Sequence, residues 1–156
     1  MIFLKKYYVN TTDQWDCLPI THEVRYAIRD ANVPAGLVTV LVAGPGASVT
    51  LGEGLPEVVA GLRGVLKRWG EPAQGGKAKD QWRQPMDVEP RVLAALLGRS
   101  VQIPFDNGRL CLDPYSDVLL CDFETKGRRR EFVVQVMGEA AESGKTAPPP
   151  PEEDYE

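Results

Sequence analysis

The residues able to do chemistry are few and spread along the chain. Glu53 stands between Gly52 and Gly54, at the exit of the run LVTVLVAGPGASVTLGEG, residues 37–54. A carboxylate placed after two apolar stretches is a candidate catalytic or pocket acid. It is equally an exposed acid favoured by the dipole of a helix opening at Pro56. Ser48, in the second stretch, is a candidate ligand-binding residue beside it. Asp122 shares an alternating segment with Glu124 and reads as a pocket acid or as the partner of a nearby arginine. Arg128, Arg129 and Arg130 could grip a phosphate by bidentate hydrogen bonds. Such a run is more often a solvated edge or a subunit contact; Arg128 and Arg130 are kept as candidate ligand contacts.

Other reactive types argue by their scarcity. The chain has one histidine, His22, in an N-terminal helical pattern where it reads as solvated. Histidine is the commonest metal ligand and the side chain that titrates near neutrality, so no metal site is predicted. Cys17, Cys111 and Cys121 form an odd set without C-x-x-C spacing, against both a disulfide framework and structural zinc. Cys111 and Cys121 fall in apolar strand patterns and read as small buried thiols. A reducing cytoplasm is the expected compartment. Gly44-Pro45-Gly46 could turn backbone N–H groups toward an anion, but Pro45 has none, and a plain tight turn is preferred. It lacks the lysine and the length of a phosphate-binding loop.

The elements that must position these residues alternate between strand and helix patterns. Ile2 to Val9 reads as a strand whose Lys5 and Lys6 mark an exposed edge. Thr21 is placed to cap a helix from His22 to Ala31, with Val24, Ala27, Ile28 and Ala31 on one face. Leu37 to Ala43 is apolar throughout and is expected to be covered on both faces. The Pro56 helix shows Val58, Leu62, Val65 and Trp69 at helical spacing, widened by Val59 and Leu66. Gly61 and Gly64 weaken it by roughly 1 kcal/mol each against alanine, which implies close packing there or a lost side chain.

Residues 70–85 read as a polar loop, with Trp82 as cover for a pocket or a neighbouring subunit. Pro90 opens a second helix, Arg91 to Leu97, closed by Gly98. Ser100 to Phe105 and Arg109 to Leu112 flank Asp106-Asn107-Gly108, a hairpin signal. Asp117 to Glu124 and Glu131 to Met137 complete the strands.

From Glu139 onward six acids meet one lysine, a local −5 that exceeds the −4 of the whole chain. The body, residues 1–138, is therefore near +1, without a general nucleic-acid footprint. The tail, 139–156, is acidic, proline-rich and expected to be disordered. No apolar run approaches a membrane span, and MIFLKKYYVN is not read as a secretory signal.

The order GASVTLGE, PEVVAGLRGVLKRW, AALLGRSVQIPFDNGRLCL and RRREFVVQVMGE resembles the YjbQ-like family, also called secondary thiamine-phosphate synthases. The likeness covers most of Ile2 to Glu139. It implies an α+β fold, a β-sandwich on a mixed sheet with two to three helices, assembling as a homotrimer. It also implies a polar pocket for a metal or an anion, and thiamine-phosphate synthase activity. Carried over by position, the family's His-Thr-Thr falls on Gly44-Pro45-Gly46 and its Asn-Glu on Gly52-Glu53. A helix aspartate falls near Gly61, histidines near Asp80 and on Arg91. Gly-Thr-Trp-Gln reads Asp113-Pro114-Tyr115-Ser116, and a strand glutamate becomes Asp122.

Most of the implied ligands are thus replaced. The expectation is a diverged trimeric binding or scaffold protein with a degenerate pocket, no predicted cofactor and a small anion as ligand. The alternative is an active thiamine-phosphate synthase-type enzyme, in which a divalent metal stabilises the departing pyrophosphate.

Overall fold

The computed structural model describes residues 1–12 and 15–140; the expected tail, past Ala140, lies outside them. In chain order come β1 (Ile2–Asn10), β2 (Asp16–Pro19), α1 (Thr21–Ala31), β3 (Gly36–Val42), β4 (Ala47–Glu53) and α2 (Pro56–Gly70). They are followed by β5 (Lys77–Lys79), β6 (Pro85–Asp87), α3 (Glu89–Leu97), β7 (Ser100–Asp106), β8 (Arg109–Leu110), β9 (Ser116–Asp122) and β10 (Arg129–Gly138). One sheet runs β1-β10-β3-β7-β8, a second β2-β9-β4, and β5-β6 forms a separate ribbon. The α+β sandwich implied by the resemblance is present. Where a mixed sheet was implied, every pairing among the described residues is antiparallel.

The three-stranded sheet is the middle of three layers. Its β9 is buried on both faces because its alternate residues enter different cores. Val118 and Leu120 join Val38, Val40, Phe132, Val134 and the α1 residues Val24 and Ile28 between the two sheets. Leu119, Cys121 and Phe123 face the other way, onto Leu66 of α2 and Leu93 and Ala94 of α3. Each large apolar side chain so enclosed contributes about 1.5–3 kcal/mol.

Several local expectations hold. Lys5 and Lys6 lie on β1, an edge strand. Asn107 and Gly108 take positive φ, 51° and 73°, in the β7–β8 turn, as a two-residue hairpin requires. Gly98 ends α3 at φ 94°.

Others are corrected. Thr21 does not cap α1; its hydroxyl donates to Asp117 Oδ1 at 2.6 Å and accepts from the Val118 N–H at 3.0 Å, tying the helix to β9. β3 is buried on one face only: Val38, Val40 and Val42 are enclosed while Leu41 on the outer face is 41% exposed. α2 leaves most of its stripe open, with Val58, Val65 and Trp69 at 42%, 45% and 54% exposure. Nothing packs on Gly61 or Gly64, where an added Cβ would meet no atom within 4 Å. The predicted loop 70–85 holds β5 and the turn of the β5–β6 ribbon, which runs on to Asp87; Trp82 and Gln84 N–H groups fasten that turn by donating to Asp80 Oδ1, both at 2.8 Å. Cys111 lies just past β8 and is exposed. No helix among the described residues is long and apolar enough to cross a membrane.

Candidate functional site

The pairing of β4 with β9 sets the geometry of the candidate residues. Ala47 lies opposite Asp122 at one end and Glu53 opposite Ser116 at the other. Six residue steps separate the ends, roughly 20 Å at strand rise. The structure therefore parts Glu53 from Asp122, Arg128 and Arg130 within one chain. Glu53 is exposed at the mouth of β4. Close to it, Asp113 closes a turn, accepting from the Ser116 hydroxyl at 2.6 Å and from the Tyr115 N–H at 2.9 Å. Those bonds, the Ser116 hydroxyl first, hold the Asp113 carboxyl below its usual range.

The opposite end is cationic and ordered. Asp122 and Arg130 are almost wholly buried, at 1% and 3% exposure. Arg130 donates from Nε to Asp122 Oδ2 at 2.9 Å and from Nη2 to Oδ1 at 2.8 Å. Thr11 Oγ1 adds a bond to Oδ2 at 2.7 Å, and the Glu124 N–H one to Oδ1 at 3.0 Å. Burial alone would raise the Asp122 pKa, but the bonds from Arg130, Thr11 and the Glu124 backbone outweigh it and hold the carboxyl low. Asp122 and Arg130, both candidate ligand contacts, are thus bonded to each other in the interior.

The same arginine reaches the glycine turn. Arg130 Nη1 donates to the Pro45 carbonyl at 2.8 Å. Arg99 bonds the Val42, Ala43 and Gly44 carbonyls from the other side. Four successive carbonyls are thus claimed by two guanidinium groups, so the turn offers cations its oxygen side rather than an anion its N–H groups. Sequence reasoning missed Arg99, which lies inside the quoted stretch AALLGRSVQIPFDNGRLCL but was given no role. Gly46, at φ 75°, passes so close to Glu124 that a Cβ would lie 2.5 Å from Oε1.

Glu124 leads outward to a cleft of about 350 Å³ whose charged lining is Lys77, Asp87, Arg91, Glu124, Lys126 and Arg128. Its Oε1 lies 3.8 Å from Arg91 Nη1 and its Oε2 3.9 Å from Arg128 Nη2. Lys77 pairs with Asp87. Four cations face two carboxylates, a set suited to a small anion. Of the candidate site residues, Arg128 lines this cleft. Arg91, carried over only as a replaced histidine, proves to be a cleft cation. Ser48 is fully buried on β4, and its hydroxyl has no hydrogen-bond partner among the described residues.

The metal implied by the resemblance does not fit. Among the described residues no three His, Cys, Asp or Glu side chains stand together as a divalent ion requires. Of the two cleft acids, Glu124 is held between two guanidinium groups and Asp87 is paired with Lys77.

Solved structures of similar fold bear on the scaffold. A YbjQ-like protein of unknown function from Sulfolobus solfataricus superposes with a TM-score of 0.79 at 20% identity, covering 89% of this chain and 99% of that one. An uncharacterised conserved protein of the yjbq/upf0047 family from Clostridium acetobutylicum does so at 0.74 and 24% identity, over 85% and 99%. At such identities the likeness speaks for the fold. In sequence, the UPF0047 protein sll1880 of Synechocystis sp. is 28% identical over 118 residues, 75% of this chain and 80% of that protein. The model of the family described as UPF0047 protein YjbQ-like matches residues 5–139, through both sheets and all three helices. The chain belongs to the YjbQ-like UPF0047 family.

Proposed function

We propose that this chain is a diverged, trimeric binding protein of the family, whose cleft takes a small phosphate-like anion without the inherited transfer chemistry. The observation that carries the proposal is the lining of the cleft. Arg91 and Arg128 flank Glu124, and with Lys77 and Lys126 the lining carries four cations to two acids. Planar guanidinium groups recognise phosphate by paired hydrogen bonds. A catalyst of pyrophosphate departure would need a metal or a proton carrier, and here Glu124 is engaged by two arginines and Asp87 by Lys77.

Two apolar surfaces support self-association. One is the outer face of the five-stranded sheet, with Ile2, Leu4 and Tyr8 at 65%, 52% and 49% exposure. The other is α2 with its approach, where Leu51, Leu55, Val58 and Trp69 are exposed. A ring of three uses two different patches on each copy, one meeting the other. This chain offers two.

Titration calorimetry with inorganic phosphate and pyrophosphate, without metal, tests the anion reading. Binding is expected and should fall at least tenfold in Arg91→Ala or Arg128→Ala. Heats unchanged by both substitutions would remove the cleft from consideration. The enzyme alternative makes its own demand. Thiamine phosphate formation with added magnesium, abolished by Glu53→Ala, would overturn the proposal. Solution mass decides the trimer.

A further inference from the structure

Two of the three cysteines are neighbours, although 104 positions part them in sequence. Cys17 on β2 lies directly across from Cys121 on β9. Antiparallel pairs alternate between hydrogen-bonded and non-hydrogen-bonded sites. Ile20 N–H donates to the Val118 carbonyl at 2.8 Å. Alternating outward from that pair through Pro19–Leu119 and Leu18–Leu120 makes Cys17–Cys121 a non-hydrogen-bonded site. The other edge of β9 agrees. Phe123 N–H bonds the Gly46 carbonyl at 2.9 Å, so the backbone of Cys121 turns toward Ser48 of β4 and away from β2. At a non-hydrogen-bonded site Cα atoms stand about 4.5 Å apart. That lies within the span of about 4.4–6.8 Å that a disulfide bridges, near its short end.

The surroundings differ on the two sides of the pair. Cys121 is fully buried; the neighbouring Cys17 thiol, then burial, push its thiol pKa up. Cys17 is only half-buried. The Cys121 thiol, followed by the Arg63 guanidinium from α2, lowers the Cys17 pKa against burial and the Asp16 carboxylate. Arg63 Nη2 is 3.9 Å from Asp16 Oδ1, and its buried Nε has no conventional hydrogen-bond partner. Lys67, one turn further along α2, stands 6.0 Å from the Trp15 ring. Cys17 is therefore the less enclosed thiol, with the Arg63 cation acting on it, and Cys121 the fully enclosed one, opposite Ser48 of β4. Attacking and resolving thiols need this division of roles.

We propose that Cys17 and Cys121 form a dithiol site that reduces a small-molecule disulfide, Cys17 attacking and Cys121 resolving. The Cys17 thiolate bonds to one sulfur of the substrate, and the other half leaves as a thiolate. Cys121 gives its proton to that departing thiolate and attacks the Cys17 sulfur. The second half leaves and takes a proton from water, replacing the one Cys17 had released. Two electrons pass from the protein dithiol to the substrate, leaving two small thiols and a Cys17–Cys121 bond. The short cross-strand span favours ready reduction, so an added thiol regenerates the site. Arg63 acts as a positioning residue that favours the Cys17 thiolate.

The test uses the full chain with Cys111→Ser, so that the exposed third thiol does not interfere. Oxidised glutathione is added, and intact mass and non-reduced peptide maps are recorded. The expected result is loss of two hydrogens and a peptide joining Cys17 to Cys121. In Cys121→Ser, glutathione should remain trapped on Cys17; in Cys17→Ser neither product should form. Arg63→Gln should slow Cys17 labelling several-fold and move its pH midpoint upward, a change that loss of packing alone would not produce. A folded chain that keeps its reduced mass overturns the proposal. So does a glutathione adduct on Cys17 that persists in the presence of Cys121. Both outcomes are read without the Cys121 variant, so they stand even if that variant fails to fold.

Discussion

Helix α1 buries Val24, Ala27, Ile28 and Ala31 at no more than 6% exposure, while α2 leaves Val58, Val65 and Trp69 at 42–54%. Both stripes follow the helical repeat equally well. The difference is in what lies opposite. α1 fits between the sheets, where β3, β9 and β10 supply apolar partners. α2 rests on the outer side of the three-stranded sheet and engages it chiefly through Leu62 and Leu66. An amphipathic pattern specifies which face seeks cover and leaves open whether the same chain supplies it.

The sharpest way to break this contrast is to remove a charge from the inner side. Arg130→Ala strands Asp122 in the interior, and loss of one partner of a buried pair costs about 3–5 kcal/mol. Thermal or urea unfolding measures it; a loss under ~1 kcal/mol would show that this region is not the closed one. The pH dependence has a definite sign. The folded Asp122 pKa is held below its ordinary value, so the stabilisation is present above about pH 4 and fades as pH falls through the folded value. Asp122→Asn should flatten the acid limb of the stability curve.

Ile28→Ala comes next, with an expected cost of about 2–5 kcal/mol for a void in the inner core. Gly61→Ala and Gly64→Ala should go the other way, each stabilising α2 by about 1 kcal/mol, because nothing stands where the methyl would go. A destabilising result at either glycine would mean that a second copy packs there. Smallest is Val65→Ala, within ~0.5 kcal/mol for an exposed site in an isolated chain. A fall in solution mass with that substitution would place α2 in the subunit contact.

How far the sequence reveals the molecule follows the same division. α1, α3, the Asn107-Gly108 hairpin and the alternation of β9 are local patterns, and they appear where periodicity and turn chemistry put them. The two cores served by β9 were not foreseen, although both of its faces carry apolar residues. The β5–β6 ribbon was hidden because its strands have three residues each, too short for a period to show. Thr21 was misjudged because a hydroxyl at a helix start has competitors, here Asp117 from β9. At the site, Asp122 and Arg130 stood out by type, but their union was one of two open readings. Arg99 and the Cys17–Cys121 pair left no trace in spacing, since strand register alone brings them to their partners.

The glycine turn has a consequence for what Gly44 can be replaced by. With Arg130 Nη1 only 3.0 Å from where a Gly44 Cβ would stand, a histidine introduced at that position would enter beside a guanidinium group. Repulsion of like charge would hold its ring neutral, and the crowding would disturb the bond that pins Pro45. Accommodating it would require Arg130 to move, and with it the buried Asp122 that depends on that arginine. The turn is thus an anchored element, and a bulky side chain at Gly44 would not be a local change.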